Sequence, residues 1–229
     1  MSPLTLTARA LLLDMDGTLL DSDAVVERVW RSWAEARDVD PARVFAIMHG
    51  RQAYATMAEL LPERPMAEHR ADAARLLARE TADTEGVVPI PGAQDFLAAI
   101  AAAPHALVTS ADTALSDARM AAAGLRMPDV RITAESVSAS KPDPEGFLKG
   151  AAELGVDPAD CLVFEDSAAG IAAARAAGMR VIGVGPRAAA LAPTAYAATL
   201  EQVRVEAAPR ARPEGFPPAD GLIRLTVSP

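Results

Sequence analysis

Only one cysteine, Cys161, occurs in the chain, so no disulfide can close within it. The first apolar run stops at Asp14, too early for a secretory leader, and a reducing, cytoplasmic setting is expected. No apolar stretch approaches the roughly 20 residues that a membrane-crossing helix needs. Positive charge is in deficit: the formal net charge is -9 at pH 7, which argues against a phosphate-backbone partner such as nucleic acid. Lysine is scarcer still, confined to Lys141 and Lys149. The segment from Ser22 to Val88 has none, which excludes Schiff-base chemistry there.

Hydrophobic residues make up 51% of the 229 positions, enough for a full core. Short apolar runs, "ALLLD", "HALVTS", "VRITA", "CLVFED" and "VIGVG", alternate with alanine-rich segments of helical period. That alternation predicts an α/β fold, a doubly wound parallel sheet with helical crossovers. Asp143 and Pro144 read as the N-cap and first turn of a helix that Gly155 closes. Between Ser22 and Val88 the strand signal vanishes, and Val26, Val29, Trp30 and Trp33 fall on one helical face. A helical insertion over 21–88 is expected to interrupt a core made of 1–20 and 89–229. Near the C-terminus "APRARPEGFPPADG" is turn-rich, and "LIRLTV" after it reads as an extra edge strand or a loose tail.

The apolar run "ALLLDMDGTLLDS" ends in two carboxylates one residue apart, Asp14 and Asp16. Burying unpaired carboxylates is costly, so a cation or chemistry must compensate. Ligands of open α/β sheets gather at the carboxyl ends of strands. Those ends bring Asp14 and Asp16 together with Thr109, Ser110, Glu165 and Asp166, and Lys141 arrives from the loop "SASKPDP". Oxygen donors without cysteine or histidine at metal spacing point to Mg²⁺, and the lysine and hydroxyls to a phosphorylated ligand.

"DMDGTLLDS", "VTSA", Lys141-Pro142 and "VFEDSAAGIAAARAAGM", in that order, resemble the four motifs of the haloacid dehalogenase superfamily, in its branch of small phosphatases with a helical cap. The resemblance runs from about Ala10 to Gly185 and implies a Rossmann-like core with an inserted α-helical cap domain. It also implies that Asp14 is the nucleophile, Asp16 the general acid and base, Thr109 a phosphate-binding hydroxyl and Lys141 the neutralising lysine. Asp166 would be a metal ligand with Asp14 and Asp16, and Glu165 would support the metal. One position departs from the pattern: Ser140 stands where the family commonly has glycine, which bears on how Lys141 is aimed.

Several residues carry second readings. Thr109 and Ser110 also suit the capping of the next helix. His49, Gly50 and Arg51, in "IMHGRQA", read either as a helix end or, as in similar phosphatases, as a cap loop facing the substrate. Trp30 and Trp33 fit helix packing better than a roof over the site, and Cys161 fits a strand in the core. "GVGPRA", from Gly183 to Ala188, matches a dinucleotide fingerprint in form only, because Pro186 intervenes late in the sheet.

The expected function is therefore hydrolysis of small sugar or polyol phosphates with Mg²⁺ through an aspartyl-phosphate. A sugar phosphomutase of the same superfamily is the nearer alternative, and a phosphoacceptor signalling domain the distant one. The expected partner is a small phosphorylated metabolite, with no nucleic acid and no membrane, for a monomer or weak dimer.

Overall fold

The computed structural model describes residues 3–207 and 222–228. The chain starts with β1 (Leu4–Ala8) and β2 (Ala10–Leu13), then β3 (Leu20–Asp21). Four helices follow: α1 (Asp23–Glu35), α2 (Pro41–Phe45), α3 (Ala53–Leu60) and α4 (Met66–Ala82). The return runs through β4 (Val88–Pro89), α5 (Ala93–Ile100), β5 (His105–Val108), α6 (Thr113–Ala122) and β6 (Val130–Ile132). Next come α7 (Glu145–Glu153), β7 (Cys161–Glu165), α8 (Ala168–Ala176), β8 (Arg180–Val184) and the short α9 (Gly185–Ala188). Three strands complete the order: β9 (Ala195–Ala197), β10 (Val203–Ala207) and β11 (Ile223–Val227).

Six strands pair in parallel in the order β6-β5-β2-β7-β8-β9. Strand β2 is central and buried throughout, which explains why it reads as an unbroken apolar run rather than an alternating one. Its residues still divide between faces. Leu11 and Leu13 join the apolar cluster that holds Phe96, Ile100 and Leu115 of α5 and α6. Leu12 joins Phe147, Ala151 and Ile171 of α7 and α8 in the other. Helices thus cover both faces, and the fold is the doubly wound α/β sheet expected. Cys161 is buried in β7, where burial pushes its thiol up to about 12.

Some local expectations shift. Helix α7 starts at Glu145, with Pro144 at the cap position, because Asp143 Oδ1 accepts from the Glu145 amide at 2.9 Å and turns the chain one residue later. Residues 223–227 form no edge: β11 lies between β1 and β10 in a three-stranded antiparallel sheet. The turn-rich stretch 208–221 lies outside the described residues. On α1 the buried positions are Val25, Val29, Trp30, Trp33 and Ala34, with Val26 only half-buried. The two tryptophans meet edge to face at 5.5 Å, and Trp33 Nε1 donates to Asp72 at 3.3 Å. The helical stretch leaves and rejoins the sheet side by side: Leu20 pairs with Pro89 and Asp21 with Val88, antiparallel.

Candidate active site

Strand order reverses around β2, since β5 and β6 lie on one side of it and β7, β8 and β9 on the other. Such a switch point opens a crevice at the carboxyl ends of the strands. Asp14 stands there, one residue past β2, and its amide extends the ladder by donating to Phe164 O at 3.0 Å. The chain then turns sharply at Gly17, whose φ of 80° is left-handed. A Cβ at Gly17 would lie 2.2 Å from Asp166 Oδ2, so the turn and the close approach both require glycine.

Lys141 Nζ donates to Asp14 Oδ1 at 2.6 Å, to Glu165 Oε1 at 2.9 Å and to Val108 O at 3.2 Å. All three of its protons are used, and the ammonium is held in one place. Glu165 is fixed on its other oxygen, which accepts from the amide and hydroxyl of Ser167 at 2.6 and 2.9 Å. Burial alone would lower the Lys141 pKa, but Asp14 and Glu165 outweigh it and leave the lysine firmly charged.

Oxygens of Asp14, Glu165 and Asp166 lie within 4.8 Å of one another, all buried. Burial raises the Asp14 carboxyl well above its ordinary range; Lys141 opposes, while Glu165 and Asp166 add to it. Burial likewise pushes Asp166 up to about 7, reinforced by Glu165 and opposed by Arg187. Among the described residues, three carboxyl groups face only two cations, Lys141 and Arg187, and Arg187 is shared with Asp23. A compact, all-oxygen donor set carrying surplus negative charge fits a hard divalent cation.

Asp16 points its carboxylate elsewhere: Oδ1 accepts from Ser22 Oγ at 2.6 Å and from Arg119 at 2.9 Å, outside the three-acid group. Thr109 follows β5, and its hydroxyl accepts from the Ala111 amide at 3.1 Å. Ser110 does not cap α6, which Asp112 caps by accepting from the Leu115 amide. Its hydroxyl instead donates to Gly50 O at 2.9 Å. Beside it, Ser140 Oγ accepts from the Gln52 amide at 2.8 Å, so the serine that departs from the family pattern grips the same loop. His49, Gly50 and Arg51 thus line one cavity with Asp14, Asp16, Thr109 and Ser110. Arg51 Nη1 pairs with Glu59 at 2.6 Å. Burial, reinforced by Arg187, lowers the His49 pKa.

Arg187, Arg119 and Glu80 are among the lining residues not singled out from the sequence. Arg187 donates from Nε to Asp166 and from Nη1 to Asp23, both at 2.7 Å. It sits in the "GVGPRA" stretch, where a charge just past the end of β8 was an available signal. Arg119 bonds Asp16 and, through Nη2, Glu80 Oε2 at 2.8 Å. Its spacing of four from Leu115 places it on the buried face of α6, an odd position for a lone guanidinium. Glu80 has no such signature.

Residues 8–178 match the haloacid dehalogenase-like hydrolase family. Among curated relatives, hexitol phosphatase A of Escherichia coli is 40% identical over 178 residues, spanning 77% of this chain and 82% of its own. Glycerol-1-phosphate phosphohydrolase 2 of Saccharomyces cerevisiae is 32% identical over 195 residues, 80% of this chain and 76% of its own. Among solved structures, a β-phosphoglucomutase from Clostridium difficile superposes with a TM-score of 0.74 at 20% identity, covering 85% of this chain and 92% of that one. At that identity the likeness concerns the fold alone.

Proposed function

The chain belongs to the haloacid dehalogenase-like hydrolases, and on that footing we propose that it hydrolyses small sugar or polyol phosphates with Mg²⁺, through an aspartyl-phosphate on Asp14. The observation that carries the reading is Lys141 held between Asp14 and Glu165 within a group of three buried acids. Asp14, Glu165 and Asp166 would hold Mg²⁺, which supplies positive charge against the phosphate oxygens.

In the first half-reaction a carboxylate oxygen of Asp14 attacks phosphorus, and the bond from phosphorus to the ester oxygen breaks. Asp16, protonated, gives its proton to the departing alkoxide. In the second, Asp16 takes a proton from water as that water attacks the aspartyl-phosphate; phosphate leaves and Asp14 is restored. Lys141 offsets the repulsion between anionic nucleophile and anionic substrate. Thr109 and Ser110 line the same cavity and supply hydroxyls for the phosphate oxygens.

Residues 21–88 act as a cap in this reading, and His49, Gly50 and Arg51 read what lies beyond the phosphate. The printed names of the relatives, a hexitol phosphatase and a glycerol-1-phosphate phosphohydrolase, support the substrate class. Among the described residues no helix is long and apolar enough to cross a membrane. The net charge of -9 favours a small metabolite over nucleic acid as partner.

The test is phosphate release from a panel of phosphorylated metabolites with Mg²⁺, for the wild type and Asp14→Asn. Polyol and sugar phosphates should lead the panel, hydrolysed rather than isomerised. The variant should lose at least about a thousandfold while melting normally. A panel led by nucleotides, or an active Asp14→Asn, overturns the proposal.

A further inference from the structure

Asp16 is held through one oxygen only. Oδ1 accepts from both Ser22 Oγ and Arg119 Nη1, while Oδ2 has no partner among the described residues. A carboxyl group tethered in that way presents a single free oxygen to the cavity that it lines. The tether itself is anchored: the side chain of Arg119 is 4% exposed, and its other arm donates to Glu80 Oε2. Glu80, equally buried, lies near the end of α4 in the helical stretch, whereas Arg119 and Asp16 belong to the sheet and its crossovers.

Arg119 Nε and Glu80 Oε1 are both buried without a hydrogen-bond partner. A guanidinium and a carboxylate buried with unsatisfied atoms are an expensive means of packing two helices together, and apolar residues of similar size do that as well or better. What apolar residues cannot supply is a fixed donor aimed at Asp16. We infer that Arg119 is a positioning residue for Asp16, anchored from α4 by Glu80, and that it directs the free oxygen of Asp16 toward the leaving group. The inference rests on Asp16 acting as the acid in the proposed reaction. Separating α4 from α6 would break the Arg119–Glu80 pair and so loosen the tether on Asp16.

The experiment compares turnover of an alkyl phosphate, which needs a proton on its leaving oxygen, with that of p-nitrophenyl phosphate, which does not, at saturating Mg²⁺. Four variants are measured with the wild type: Asp16→Asn, Arg119→Met, Glu80→Gln and the double variant Asp16→Asn with Arg119→Met. Arg119→Met should lower the ratio of alkyl to aryl kcat by about 30-fold, with the KM of each substrate within about threefold. Glu80→Gln, which retains an acceptor for Arg119, should lower the ratio by less, about three- to tenfold. The double variant should show no larger fall than Asp16→Asn alone, because both changes act through one carboxyl.

An unchanged ratio in Arg119→Met while Asp16→Asn lowers it overturns this inference and leaves the phosphatase reading standing. An unchanged ratio in Asp16→Asn overturns both. Should Arg119→Met fail to fold, Arg119→Lys decides: one ammonium cannot span both acids, so the ratio must still fall, and an unchanged ratio refutes the positioning role.

Discussion

A Cβ built on Gly170 would lie 1.6 Å from Oε1 of Glu165, the oxygen that receives Lys141. Helix α8 must carry a glycine at this position for the acid to occupy the space of a side chain. On helix propensity alone, alanine here would be favourable by about 1 kcal/mol. The clash decides the sign instead. Gly170→Ala should destabilise by roughly 2 kcal/mol and lower turnover at least tenfold by displacing Glu165 from Lys141. Urea denaturation read beside steady-state kinetics checks both, and a stabilised, active variant would contradict the packing.

Glu80 gives a pH signature. Burial pushes its carboxyl up to about 7 from an ordinary 4.5, with Arg119 opposing and Asp16 adding. The folded protein therefore binds this proton more tightly than the unfolded chain. The resulting stability is fully present below pH 4.5 and is lost as pH rises through 7. Glu80→Gln removes that dependence. Wild type should lose roughly 3 kcal/mol relative to the variant between pH 4.5 and pH 7.5. Denaturant midpoints at several pH values test it; parallel profiles would count against a raised Glu80.

Divalent metal should stabilise the fold without substrate. Neutralising the surplus charge of Asp14, Glu165 and Asp166 should stabilise the fold with Mg²⁺ relative to chelator by about 2.7 kcal/mol at a hundredfold excess over Kd, seen as a higher melting temperature. Asp166→Asn should abolish most of that gain. A thermal shift series reads this directly, and identical melting curves with Mg²⁺ and with chelator would sink the metal assignment.

Arg51 lines the cavity with Asp14 but is paired with Glu59, away from the three acids. Arg51→Ala should cost about 10- to 100-fold in kcat/KM on the preferred polyol or sugar phosphate, and far less on a small aryl phosphate that never reaches this loop. Equal losses on both substrates would show that the loop does not read the substrate.

The strand-end acids were legible because an apolar run that ends in carboxylates is physically anomalous: Asp14, Asp16, Glu165 and Asp166 each follow or end a buried strand. The parallel sheet was legible for a similar reason, since its strands lie under helices on both faces and carry apolar runs without alternation. Glu80 was not, because a glutamate on a helix ordinarily faces water, and Arg119 and Arg187 offered only faint cues, a buried-face spacing and a charge just past a strand end. Only the pairing of Arg119 with Asp16, 103 positions earlier, makes it part of the site. The strand over 223–227 was legible as an edge strand or a tail, but not its central place, for want of a local cue: its partner β1 lies more than two hundred residues away, as with Leu6 and Leu225. For Ser110 the second reading, helix capping, fails because Asp112 caps α6 instead.

The antiparallel contact of Leu20 with Pro89 ties together the two ends of everything inserted between them. An insertion whose ends are already hydrogen-bonded to each other presents its host with one short ribbon, whatever its length or internal shape. The join itself therefore constrains little of what lies between its two ends. Under the proposed function, residues that choose the substrate can vary within the insertion without moving the acids at the ends of β2 and β7. In this molecule side chains limit that freedom: Glu80 holds Asp16 through Arg119, Gly50 and Gln52 hold Ser110 and Ser140, and Asp23 holds Arg187, so not every replacement would leave turnover intact.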